Sequence, residues 1–207
     1  MVFPARMILP FLLAAPGVLC ALDCPALSDV ALMHRPPIEE IRYATPFNFT
    51  GRQLYPFPAA YVRRELIPCL EAIQTELAAK GLGLKIYDGY RPLFVQKRMW
   101  NLIRDERFVS NPSLNRGRHT RGTAVDVTLV DKLGRQLPMP SDFDEFSSRA
   151  AVSYQGGSAV ERRNRDFLQQ VMTRHGFHSY SHEWWHFDFA EWEKYPVLSI
   201  SFQDLRH

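Results

Sequence analysis

Cysteine is scarce, with three in 207 residues, so the chain is no disulfide-stapled scaffold and its fold must rest on an apolar core. A hydrophobic content of 46% with 13% aromatics is enough for one compact domain. Neither sign of charge dominates. The formal net charge is +3, and the only charged residue among the first twenty is Arg6, without which it is +2. That balance gives no electrostatic case for nucleic acid, and the clustered Arg116, Arg118 and Arg121 read as a solvated loop. Internal repeats, low-complexity tracts and Gly/Ser linkers are absent, so nothing divides the chain. Long hydrophobic runs are also missing. The apolar stretch from Met7 to Leu19 in "MVFPARMILPFLLAAPGVLCALDC" is too short to span a bilayer well. With Arg6 before it and small residues after it, it reads as a secretory signal over residues 1–21, which places residues 22–207 in a single exported domain, periplasmic or secreted. Cleavage after Cys20 or Ala21 leaves Cys24 and Cys69, an even count that in an exported protein suggests a disulfide.

Apolar spacing outlines the elements. Leu66, Ile67, Leu70, Ile73 and Leu77 recur at helical period before Gly81, with Pro68 in the first turn. "LGLKIYD" reads as a strand, and Pro92 opens a second amphipathic helix to about Ile103. "TAVDVTLV" alternates, placing Val125, Val127 and Leu129 on one face and Asp126 and Thr128 on the other. A third helix runs from about Val160 to His175, and "WWHFDFA" forms a last strand. Helices first and strands mostly later point to an α+β fold with a central antiparallel sheet and helices packed on it.

The string "SHEWWHFDF" contains His182-Glu183-Trp184-Trp185-His186, a literal match to the H-E-x-x-H zinc motif. That motif works only on a helix, where residues i and i+4 share a face. The alternating aromatics here favour a strand, in which four residues span about 13 Å. One of the two histidines is then a decoy. Three candidates for metal ligands stand out: His119 in "GRHTRGTAVD", where Gly122 permits a tight turn, Asp126 on the polar face of its strand, and His186 from the string itself. Two histidines and a carboxylate leave a fourth position of a catalytic zinc open for water.

Taken together, "RHTRGTAVDVTL", "SHEWWH" and "IYDGYRP" resemble the D-alanyl-D-alanine dipeptidases, zinc peptidases of vancomycin resistance and D-Ala-D-Ala scavenging with a hedgehog-like fold. Their pattern S-x-H-x-x-G-x-A-x-D is met at His119, Gly122, Ala124 and Asp126, and E-x-W-H at Glu183, Trp185 and His186, while Arg91 lies in Asp88-Gly89-Tyr90-Arg91-Pro92. Further likeness surrounds Tyr43 and Asn48 in "RYATPFNFTG" and Asp144 in "MPSDFDEF". The resemblance implies one Zn²⁺ per chain on His119, Asp126 and His186, and a small D-amino-acid dipeptide as substrate, bound near its amine by Tyr43 and Asp144. Chemistry then suits Glu183 to proton transfer, aimed inward by a turn or bulge at Glu183-Trp184, and Arg91 to the developing oxyanion. One position departs from the pattern: Gly117 stands where the family has serine. Two further readings keep the metal site, a D,D-carboxypeptidase or cell-wall endopeptidase acting on longer peptides, and a non-catalytic zinc-stabilised binding module. Glu183 and Arg91 argue against the last, since a purely structural site needs neither.

Overall fold

The computed structural model describes residues 26–114 and 117–205. The export signal, Cys24 of the expected disulfide, and Arg116 lie outside the described residues. No described helix is long and apolar enough to cross a membrane.

The chain is α+β. A five-stranded sheet has the order β2-β4-β5-β7-β6, built from β2 (Ile38–Glu39), β4 (Leu82–Asp88), β5 (Ala124–Asp131), β6 (Phe177–Tyr180) and β7 (Glu183–Phe189). A second, two-stranded sheet pairs β1 (Leu27–Asp29) with β3 (Tyr61–Arg63). The expectation of an antiparallel sheet holds for β4-β5-β7-β6 and fails at the edge, where β2 runs parallel to β4. Two register pairs suffice there, and they come from the irregular entry segment, whose strand is too short to leave a periodic trace.

Helix α1 (Ile67–Ala78) has a proline in its first turn, and half-buried Cys69 lies beside that residue. Helix α2 (Leu93–Leu102) starts directly after Pro92. Helix α3 (Ala159–Arg174) begins with a capping box, in which the Ser158 hydroxyl accepts from the Glu161 amide and the Glu161 carboxylate accepts from the Ser158 amide. α1 packs on β4, and α3 on β5, β6 and β7. Their buried Leu70, Ile73, Leu77, Leu168, Val171 and Met172 join Val125, Val127 and Leu129 in the core. Burying each such side chain contributes roughly 1.5–3 kcal/mol.

With the odd residues of β5 committed to that core, the even residues must face the other way. Asp126 is paired directly with His186 across β5 and β7, so their side chains rise together from one face. Along β4 and β5, Ile86 pairs with Val127, but the next pair is Asp88 with Asp126. Tyr87 is thus the extra residue of a bulge that returns Asp88 to the Asp126 face. Strand β7 is more irregular still. Ser179 pairs with Phe187 while Tyr180 pairs with Glu183. The residues between are freed from the ladder to β6, as the misfit spacing of Glu183 and His186 requires.

Candidate metal centre

His119 comes from the short turn before β5, which closes at Gly122 with φ 73°. A side chain at Gly122 would bring a carbon within 2.7 Å of Leu27 and 3.3 Å of the Arg63 amide nitrogen, so this position demands glycine on both conformational and steric grounds. His119, Asp126 and His186 converge. His119 Nε2 lies 3.1 Å from His186 Nδ1 and 3.3 Å from Asp126 Oδ1, and His186 Nδ1 lies 3.0 Å from Asp126 Oδ1. Their outer nitrogens are occupied. His119 Nδ1 donates to the Gly89 carbonyl at 2.7 Å, and His186 Nε2 donates to Asp188 Oδ1 at 2.9 Å. With those outer nitrogens donating, two imidazole nitrogens and a carboxylate oxygen face one another in a buried pocket, a set that needs a proton or a metal cation among them. Tetrahedral ligands with zinc bonds of about 2.0–2.1 Å stand about 3.3–3.4 Å apart, so the spacing and the donor set fit zinc. Burial alone would raise the Asp126 pKa, but His119 and His186 outweigh it and hold the carboxyl far below its ordinary range.

His182 has no part in this. It is exposed in the turn before β7, with its ring against Tyr180.

The remaining expected residues line the same cleft. Arg91 and Glu183 belong to it with Tyr43, Asp144 and Gly117. Glu183 is buried, with Oε2 4.0 Å from His186 Nδ1. Its burial pushes the carboxyl well above the ordinary 4.5, His186 offsetting only part of the rise. The Arg91 guanidinium is fixed by two bonds to Asp88 Oδ2, at 3.0 and 2.7 Å, and one to Gln96 Oε1 at 2.9 Å. It stands 4.0 Å from Asp126 Oδ2. Asp88, completely buried, is held in turn by the Tyr55 hydroxyl and the Gly89 amide.

The string "SDFDEF" offers three acids, and geometry separates them. Asp142 pairs with Arg42 and Glu145 bonds Ser147, whereas Asp144 faces the cleft and accepts from the Tyr43 hydroxyl at 3.1 Å. Asp144 adopts φ 60°, a left-handed conformation that costs a non-glycine residue about 1–3 kcal/mol. Its Oδ2 is buried with no hydrogen-bond partner. Burial and then the nearby Asp126 push its carboxyl up to about 8. Asn48 serves the same wall indirectly. Its side chain ties Thr45, Thr50 and Arg52 together and so fixes the loop that presents Phe49 to the cleft.

Sequence reasoning missed Gln96, Asp188 and the Gly89 carbonyl. Asp188 carried a signal, since it follows His186 by two residues on a strand and shares its face. Gln96 carried none, being one polar residue on an amphipathic helix. The arginines need a correction. Arg121 is buried and Arg118 partly so, both stacked over Trp192, at 5.4 and 4.4 Å. A planar guanidinium on an aromatic face is well accommodated away from water.

The chain is similar in sequence to known proteins over most of its length. The family described as D-ala-D-ala dipeptidase matches residues 26–203. The D-alanyl-D-alanine dipeptidase of Escherichia coli (strain K12) is 34% identical over 181 residues, 87% of this chain and 93% of that protein. Its counterpart in Enterococcus faecalis (strain ATCC 700802 / V583) is 30% identical over 183 residues, 79% of this chain and 90% of that protein. Among solved structures, VanYB in complex with D-alanine-D-alanine superposes with a TM-score of 0.43 at 16% identity, over 65% of this chain and 75% of that one. The chain therefore belongs to the D-ala-D-ala dipeptidase family of metallopeptidases.

Proposed function

We propose that the protein is an exported zinc dipeptidase that hydrolyses D-Ala-D-Ala or a close dipeptide in cell-wall peptide turnover, with one zinc per chain on His119, Asp126 and His186. The observation that carries the dipeptide reading is Asp144 Oδ2, a buried carboxylate oxygen without a partner in the cleft that holds the three ligands. A cationic donor satisfies such an atom best, because it supplies both the hydrogen bond and the opposite charge. In a peptide substrate that cation is the free α-ammonium, which places the scissile bond one residue from the amino end.

Bound zinc supplies a Lewis acid that polarises the peptide carbonyl and acidifies water. Glu183 takes the proton of the attacking water at its carboxylate and delivers it to the leaving nitrogen, and its burial, which raises its pKa, favours its taking up that proton. Arg91 donates hydrogen bonds to the carbonyl oxygen as negative charge grows on it. Asp88 and Gln96 hold the guanidinium in place, so little reorganisation is needed. Asp144 and the Tyr43 hydroxyl fix the ammonium and with it the distance from amine to scissile carbon. The N-terminal signal supports export, and Gly117 removes a hydroxyl from the cleft wall, which supports looser selection at the second residue.

Hydrolysis of D-Ala-D-Ala, N-acetyl-D-Ala-D-Ala and a D-Ala-D-Ala-terminated pentapeptide by the zinc-loaded protein tests the reading. Free dipeptide is expected to be cleaved far faster than the other two, because a blocked amine leaves Asp144 unpaired. Equal turnover of all three would replace the dipeptidase with a carboxypeptidase.

A further inference from the structure

We propose that Asp188 is a positioning residue for the metal ligand His186, and that Arg118, seated on Trp192, holds Asp188 in that role. The inference rests on the zinc reading above and concerns what decides which imidazole nitrogen His186 presents. A histidine can offer either nitrogen, and the choice is set by the partner of the other. For His119 that partner is the backbone carbonyl of Gly89. For His186 it is a side chain. Asp188 Oδ1 accepts from Nε2 at 2.9 Å, which turns Nδ1 toward Asp126 and His119.

Strand register makes the contact possible. His186 stands opposite Asp126 and Asp188 opposite Ala124, so both side chains leave the same face of β7 and the small methyl group of Ala124 leaves Asp188 room beside the ring. The second oxygen of Asp188 is 3.3 Å from Arg118 Nε, and the Arg118 guanidinium lies 4.4 Å over the Trp192 ring. Trp192 lies three residues beyond the end of β7 and opens a short turn. The order Trp192, Arg118, Asp188, His186 is therefore a continuous set of contacts ending at the metal. Arg118 is adjacent in sequence to His119, so the pair also links the turn carrying one ligand to the strand carrying another. An Asp188 that served only as an ion-pair partner for Arg118 would need just one of its oxygens, whereas here each has its own role.

The test measures zinc affinity by competition with a chromophoric chelator, the visible spectrum of the Co²⁺-substituted protein, and melting of the metal-free protein. Asp188→Ala is expected to weaken zinc by about 10–100-fold and to shift the Co²⁺ bands. Asp188→Asn keeps an acceptor but loses the charge, and should fall between Asp188→Ala and the unaltered protein. Arg118→Gln should move both readouts in the same direction and by less. An Asp188→Ala protein with unaltered zinc affinity and Co²⁺ spectrum, whatever its melting temperature, overturns the proposal. If Asp188→Ala does not fold, Asp188→Asn decides, and an unchanged affinity and spectrum there overturn it equally. Absence of zinc binding by the unaltered protein would instead remove the reading on which the proposal stands.

Discussion

The two walls of the cleft are made differently. The metal wall stands on β5, β7 and the turn before β5, where cross-strand register brings Asp126 and His186 together and each imidazole has its outer nitrogen bonded. The substrate wall stands on connecting segments, with Tyr43 in a short turn and Asp144 in a left-handed conformation. On the first wall what is unmet is a cation among three converging donors. On the second it is a cation for a single oxygen. The contrast teaches that metal holding and amine recognition are separate structural tasks in one cleft, and substitutions should separate them.

The largest effect is expected on the metal wall. His119→Ala or His186→Ala should reduce zinc content to near zero and abolish turnover, read by elemental analysis and hydrolysis of D-Ala-D-Ala. Zinc retained in either variant would place the ion elsewhere. Between the walls, Glu183→Gln should keep its zinc and lower kcat by about 10²–10⁴-fold. Loss of zinc in that variant would make Glu183 a ligand.

On the substrate wall, Asp144→Asn should leave zinc unchanged and lower kcat/KM for free D-Ala-D-Ala by roughly 10–100-fold, the worth of a hydrogen bond to a charged group. Cleavage of the N-acetylated dipeptide should change little, so the preference for a free amine should collapse. A retained preference would move amine recognition off Asp144.

The remaining effect is one of stability, and its sign is opposite. With its carboxyl pushed up to about 8 from an ordinary 3.8, folded Asp144 keeps a proton that the unfolded chain releases. Stability of the metal-free protein contributed by this group therefore falls as pH rises from 3.8 toward 8, and levels off above that. Asp144→Asn removes the penalty, so the metal-free variant should melt higher than the unaltered protein by a margin that widens over the same interval. A margin independent of pH, or a lower melting temperature throughout, would show that the loop meets the demand of this carboxylate without substrate.

The two walls also differed in how far they could be read from sequence. Alternation in "TAVDVTLV" placed Asp126 opposite the core before any register was known, and the structure keeps that assignment. Helical spacing located α1 and α3 within a residue or two at each end. Strand β6 was missed because Phe177–Tyr180 has one buried residue and no run of alternation. Strands β1, β2 and β3 are two or three residues long, below what periodicity can register. The bulge at Tyr87 shifts the parity of Asp88, which alternation alone assigns to the other face. On the substrate wall, only family resemblance singled out Asp144 over Asp142 and Glu145. Backbone geometry and the ion pair of Asp142 with Arg42 are tertiary facts that no local pattern encodes.

The string His182-Glu183-Trp184-Trp185-His186 supplies the most direct measurement, the zinc stoichiometry of Asp126→Ala set beside that of His182→Ala. With the ligands drawn from β5, β7 and the turn before β5, Asp126→Ala should bind no zinc, and His182→Ala, altered at an exposed turn, should bind one ion per chain. Full zinc in Asp126→Ala together with none in His182→Ala would contradict the sheet-borne centre and restore a site spanned by the two histidines of that string.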